Sequence, residues 1–292
     1  MKNKKSAVTI GTFDGVHKGH KLLIRKTLET AKKNNLKSII VTLEKPVRCV
    51  SGLLSPFGEK MDLMKKTGID EIIVVPLLSE ILSMSPDEFY EKILINDLQA
   101  CHIICGSDFA FGKNRKGNTR WLTRKTKRSN VTVDIVKPLK ISGHTVSSSL
   151  IRSLLHKNDI KNANKYLGRE YSFSGIPFKE KGIGSKIGFP TVNLMAEKDK
   201  ILPKGVFVSI ISRGKKTYPS VTNIGYRPTL NRGEAVVPET HILGFKGDWG
   251  KKVTEVVLLK KIRNEKKFKD IEELKKSISK DIKKAKEFFN LP

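Results

Sequence analysis

Two histidines three residues apart, His17 and His20, sit inside the string GTFDGVHKGH at 11–20. On a first helical turn that spacing puts both imidazoles on one face, where they can grip the same phosphate chain. An apolar, strand-like run at 7–10 precedes the string, and a helix-like run begins near Lys18. A strand, a Gly-bearing loop and a helix N-terminus together favour anions, through free backbone N–H groups and the helix dipole. Gly11, Thr12, Phe13 and Asp14 form that loop, and Gly19 leaves no side chain between the histidines to block a nucleotide. A plain strand–helix turn with two solvated histidines is the other reading of the same residues.

A second set of hard ligands lies far downstream, in KGIGSKIGFPTVNL at 181–194. Gly182 and Gly184 suit a loop whose amides approach phosphates. Thr191 and Asn193 present oxygens two residues apart, on one side of an extended chain, as Mg²⁺ and a phosphate require. Glu239, in PETHILGF, fits a general base, because phosphoryl transfer to an alcohol needs a carboxylate beside the hydroxyl. Asp108 follows a strand-like stretch and is expected to line the crevice of the first loop. Ser147, Ser148 and Arg152 combine hydroxyls, a helix start and a guanidinium, a set suited to polyphosphate; a Ser-rich helix cap explains the same string.

The elements that must hold these residues alternate in the first half of the chain. Strand-like runs at 7–10, 38–43, 71–76, 102–105 and 131–136 are separated by helix-like segments at 18–33, 58–67 and 86–95. That order predicts a parallel sheet covered by helices on both faces. In such sheets nucleotides bind outside the carboxyl ends of the strands, where the first loop falls. Beyond 167–171 the chain turns to Gly and short β-like runs, predicting an antiparallel barrel. A helix closes it, with Ile271, Leu274, Ile278, Ile282, Ala285 and Phe289 in a stripe expected to face the core.

At 292 residues, two domains are the natural expectation. No apolar run reaches the length of a membrane span, and the basic N-terminus enters a strand, not a signal-peptide core. The chain reads as cytoplasmic. Its formal charge of +28 raises the question of nucleic acid, and the run 113–128 is the densest basic stretch. The basic residues are mostly Lys, spread along the whole chain, with no aromatics interleaved for base stacking, so nucleic acid is not the expected partner. Cys101 and Cys105 are expected in a strand core, and three cysteines do not make a disulfide framework.

GTFDGVHKGH, GSDFAFG, SSSLIR, LGREY, GFPTVNL, NIGYRPTL and ETH occur in this order along nearly the whole chain. In this the sequence resembles the bacterial bifunctional riboflavin kinase/FMN adenylyltransferases, the FAD synthetases. The resemblance implies an N-terminal Rossmann-like nucleotidyltransferase domain over 1–168 and a C-terminal riboflavin-kinase barrel over 169–292. It implies riboflavin, FMN and ATP as substrates, FAD as product, and Mg²⁺. By resemblance, Thr191 and Asn193 hold Mg–ATP and Glu239 is the base that activates the ribityl hydroxyl. His17 and His20 would stabilise charge on the α-phosphate of a second ATP, Asp108 would lie near adenosine and flavin, and Ser147, Ser148 and Arg152 would bind phosphate.

Departures from the family pattern are local. Leu43–Glu44–Lys45–Pro46 stands where the family carries a Phe-Asp-Pro-His-Pro-like string, Ser149 where Thr is usual, and Ser185–Lys186 where an Arg-Thr-like pair precedes GFPT. Gly244 replaces an Asp, and 247–251 is one residue shorter than its counterpart. Two other readings stay open: a relative with one active half, the adenylylating one being the impaired candidate, or a non-catalytic binder of flavin or nucleic acid.

Overall fold

A computed structural model describes residues 4–47, 51–77, 80–178, 184, 187–229 and 233–292, with backbone alone at 227–229 and 233–235. The chain divides into two compact units, Met1–Val50 with Ser55–Ser148, and Ser51–Leu54 with Ser149–Pro292. Helices at 148–156 and 160–167 thus fall almost wholly in the second unit, although they precede the change of texture read from the sequence.

The first unit begins with β1 (Ser6–Gly11), α1 (Lys18–Lys33), β2 (Lys37–Leu43), α2 (Phe57–Lys65) and β3 (Glu71–Val75). It continues with α3 (Pro86–Glu88), which runs on as a wider π-type helix over Phe89–Asp97, and then β4 (Ala100–Gly106). A small hairpin, β5 (Ala110–Phe111) with β6 (Gly117–Asn118), leads into α4 (Thr119–Thr126) and β7 (Thr132–Val136); a second pairs β8 (Lys140–Ile141) with β9 (His144–Thr145). The main sheet has the order β3-β2-β1-β4-β7 with every pair parallel. The order reverses at β1, so the neighbouring ends of β1 and β4 form the crevice that such sheets use for ligands.

Both faces of this sheet are covered, and its strands are accordingly apolar on both sides. Val8, Ile39, Val41, Ile103 and Cys105 pack against Phe89, Leu94, Phe111 and Leu122. On the opposite face Ile40 meets Phe13, Val16, Ile24 and Met64. Truncating a side chain as buried as Ile40 costs about 2–5 kcal/mol. Cys105 lies in this core, where burial first, then Asp108 and Asp134, push its thiol up to about 12. The basic run at 113–128 forms β6 and α4, anchored by Leu122 and Trp121 with its charges outward.

The second unit contains α5 (Ser148–His156, whose first residue lies in the first unit) and α6 (Ile160–Leu167). Six strands follow: β10 (Tyr171–Phe178), β11 (Val192–Ala196), β12 (Gly205–Arg213), β13 (Lys216–Thr229), β14 (Gly233–Ile242) and β15 (Thr254–Arg263). They close as β10-β11-β14-β13-β12-β15, with β15 returning to β10 and every pair antiparallel. Inside, Ser209, Ser220, Thr222 and Thr240 are fully buried and joined by hydroxyl hydrogen bonds of 2.7–2.9 Å, so none is left unpaired.

Helix α7 (Ile271–Phe288) covers one outer wall of the barrel. Ala285, Ile282 and Phe289 pack against Val206, Val208 and Val221. A bidentate pair from Arg263 to the buried Asp281 fixes it further, at 2.9–3.2 Å. The expected core stripe is only partly core: Ile271 is 54% exposed, and the packing against the barrel involves Ile282, Ala285 and Phe289 near the far end of the helix.

Candidate active sites

The loop after β1 is held in a strained form. Phe13 has φ +49° and Val16 has φ +38°, the latter rare for a β-branched residue. Both side chains are fully buried in the core beneath, which offsets the strain and pins the loop from below. Phe13 therefore contributes its backbone, not its ring, to any ligand. Gly11 accommodates that ring, since a Cβ there would lie 3.2 Å from it.

Asp14 is also internal: its Oδ1 accepts a hydrogen bond from the Ser55 N–H at 3.0 Å. Its carbonyl accepts from the Ser148 hydroxyl at 2.9 Å. Asp14 and Ser148, both expected at the nucleotide, are thus tied to each other by the loop's own framework. Ser147, half-buried, precedes α5. Arg152 lies four residues beyond Ser148 on that helix and donates through Nε to the Gly52 carbonyl at 3.0 Å, within the second unit.

His17 caps α1, its Nδ1 accepting from the His20 N–H at 3.2 Å. The two imidazoles stack with centroids 3.5 Å apart and planes 15° from parallel. Gly19 leaves room for this, since a Cβ there would stand 3.1 Å from the His17 ring and crowd it. His20 keeps part of its ring at the surface, but Nδ1 is sealed off with no hydrogen-bond partner among the described residues. Burial first, then the charge of His17 and Lys60, hold its pKa well below the ordinary histidine value. It is neutral near pH 7 and so able to donate one N–H to a phosphate oxygen.

β1 and β4 are direct neighbours and end in Gly11 and Gly106. An Asp108 oxygen lies 2.9 Å from where a Cβ on Gly106 would stand, so a bare glycine lets the carboxylate lie over the strand end.

In the barrel, strand register assembles the second set. Asn193 on β11 pairs with Glu239 on β14, and Glu239 pairs with Asn223 on β13. Directly opposed residues share a face, so one rung carries amide, carboxylate and amide across three strands. Thr191 stands just before β11. Asn193 Oδ1 is buried and accepts no hydrogen bond among the described residues. An orphaned hard oxygen of this kind fits a Mg²⁺ ligand.

Gly184 lies against the same stretch: its carbonyl accepts from Phe189 N–H at 2.8 Å, and a Cβ would press on the Phe189 carbonyl at 2.6 Å. Gly182, Ser185 and Lys186 lie outside the described residues.

Three contributors were not legible as such. His241 fixes the segment before Thr191, its Nδ1 lying 2.8 Å from the Pro190 carbonyl and its ring edge-on to Phe189. Asn223 joins the rung only through β13–β14 register. ETH and NIGY were visible strings, but neither spacing assigns a contact. Lys60 is 2% exposed beside the first loop, and its sequence neighbourhood carries no sign of that burial.

A parallel sheet with a loop and helix N-terminus at its carboxyl ends, and a closed barrel bearing an acid–amide rung, fit a two-domain nucleotide-using transferase. The FAD synthetase family model matches residues 1–150, and the riboflavin kinase model matches residues 167–289. The chain is 35% identical to a Buchnera aphidicola (Schizaphis graminum) protein named bifunctional riboflavin kinase/FMN adenylyltransferase, over 99% of this chain and 96% of that one. It is 31% identical to the Escherichia coli K12 protein of the same name, over 97% and 93%. A solved Streptococcus pneumoniae chain, described as a macrolide-efflux protein, superposes with a TM-score of 0.86 at 25% identity, covering 97% and 94%. This chain belongs to the bifunctional riboflavin kinase/FMN adenylyltransferase family.

Proposed function

We propose that this chain phosphorylates riboflavin to FMN in its barrel and adenylylates FMN to FAD at the edge of its parallel sheet. What carries the reading is the full-length likeness to relatives named for both activities, with a separate chemical set in each unit.

In the barrel, Glu239 takes the proton of the ribityl hydroxyl as its oxygen attacks the γ-phosphorus of ATP; the bond to the β-bridging oxygen breaks and ADP leaves. Asn193 Oδ1 and the Thr191 hydroxyl are the oxygens that would hold Mg²⁺, and the buried Oδ1, without a hydrogen-bond partner among the described residues, supports that assignment. A Mg²⁺ held there would supply positive charge to offset that of the phosphates. His241 keeps Thr191 in place through Pro190, and Gly182 and Gly184 are the glycines assigned to nucleotide binding.

At the sheet edge, an FMN phosphate oxygen attacks the α-phosphorus of ATP, and pyrophosphate leaves. His17 and His20 stabilise the charge on the α-phosphate as it grows, which requires no covalent intermediate. Gly11 and Thr12 offer backbone to the phosphates, Asp108 faces the adenosine and flavin side, and Ser147 and Ser148 frame the phosphate segment; Arg152, a phosphate ligand by resemblance, belongs to the second unit. Phe13 and Asp14 act by building the loop. No helix among the described residues is long and apolar enough to cross a membrane, and we place both reactions in the cytoplasm, divided between 1–168 and 169–292.

Incubation with Mg–ATP plus riboflavin, and separately with Mg–ATP plus FMN, tests the proposal by chromatography of the flavins. FAD from both substrates is expected. FMN alone from riboflavin, with no FAD from added FMN, means a kinase whose adenylylating half is silent, and no product from either substrate contradicts the proposal.

A further inference from the structure

Lys60, on α2, is buried where parallel strands end, a place a lysine seldom occupies unless it has partners. Its Nζ donates to the carbonyls of Leu43 at 2.5 Å and Glu44 at 3.0 Å, at the end of β2. It also reaches the Thr12 carbonyl at 3.4 Å and the Thr42 hydroxyl at 3.5 Å. The Thr42 hydroxyl in turn donates to the Thr12 carbonyl at 3.2 Å. One ammonium thus joins the phosphate loop after β1 to the stretch after β2, where the chain departs from its family pattern.

We propose that Lys60 is a positioning residue of the adenylyl-transfer site, clamping the ends of β1 and β2 and placing a buried positive charge behind the phosphate loop. Carbonyl oxygens at the carboxyl ends of parallel strands present negative partial charge to the crevice, which opposes a polyphosphate. Drawn onto a cation, they oppose it less, and the cation itself adds attraction that a low-dielectric setting screens little. The inference rests on the two-reaction reading above.

The titratable groups facing Lys60 are Asp14 from the loop after β1, Glu44 beyond β2 and His20 on α1, with the Phe57 ring 6.0 Å away. Burial lowers the Lys60 pKa to about 8, against smaller upward pulls from Asp14 and Glu44. The clamp therefore loses its charge just above neutrality.

FAD formation from FMN and Mg–ATP, followed between about pH 6.5 and about 9.5, tests this in the unmodified chain, Lys60→Gln and Lys60→Arg. The unmodified chain is expected to lose kcat/KM for ATP above about pH 8. Lys60→Gln, which keeps a donor but not the charge, is expected to start about ten- to a hundred-fold lower at pH 7, mainly through KM, without that alkaline fall. Lys60→Arg moves the fall out of range, since guanidinium stays charged. Thermal unfolding of the Gln variant followed by circular dichroism reports whether its first unit is folded, and riboflavin phosphorylation reports the barrel. A flat alkaline profile in the unmodified chain, or a Gln variant within about two-fold of it, overturns the assignment. No FAD from the unmodified chain at any pH overturns the two-reaction reading, and this inference with it.

Discussion

Asn193 and Glu239 face each other as one rung between β11 and β14, the amide oxygen buried without a hydrogen-bond partner among the described residues and the carboxylate beside it. A buried acceptor with nothing to accept lowers stability by about 1–3 kcal/mol, so its persistence in a closed barrel points to a ligand. Proteins retain such groups where function needs them.

Asn193→Leu has therefore an unusual expected signature. Removing the orphaned oxygen with little change in volume should leave Tm unchanged or raise it, while FMN formation falls by at least about a hundred-fold as phosphate positioning is lost. Calorimetry and flavin chromatography on one preparation check it. A large drop in Tm together with full kinase activity contradicts the account.

His17 carries two separable duties. As the cap of α1 it accepts the His20 N–H, and His17→Ala should cost about 0.5–2 kcal/mol of stability. His17→Asn restores a capping side chain and should recover most of that loss, without recovering FAD synthesis, because Asn cannot supply an imidazole N–H to the phosphate. Full recovery of both by Asn would leave the imidazole with no part in the chemistry.

The sheet edge and the barrel rung were legible to different depths. His17, His20 and Gly19 are adjacent in sequence, and Thr191 and Asn193 are two apart, so local geometry suffices for each. The parallel sheet followed from apolar runs alternating with helical periods, because strands buried on both faces leave such runs. Lys60 was illegible for a physical reason: among 57 basic residues nothing in its local pattern shows that α2 turns it inward. Asn223 needs a register across β13 and β14, and His241 needs a ring placed against a proline carbonyl. Ile271 misled because helical spacing alone cannot say which turns of the helix are packed. The Ser51–Leu54 segment, which hydrogen-bonds to Asp199 and Ile201, joins the second unit through contacts distant in sequence.

His20 gives the fold a pH dependence of known sign. Its folded pKa lies well below 6.5 while the unfolded chain titrates near that value, so between the two the unfolded state binds more protons. Stability should fall as pH drops from about 6.5 through the folded pKa. In His20→Gln the Tm should vary less over that window. An identical slope in the variant would mean that His20 is not held neutral.

The most direct test of two independent sites in one chain is flavin chromatography of Glu239→Gln. The account predicts that FMN formation from riboflavin drops by about a hundred-fold or more, while added FMN still becomes FAD at close to the unmodified rate. Loss of both conversions, or riboflavin phosphorylation that persists undiminished, would contradict it.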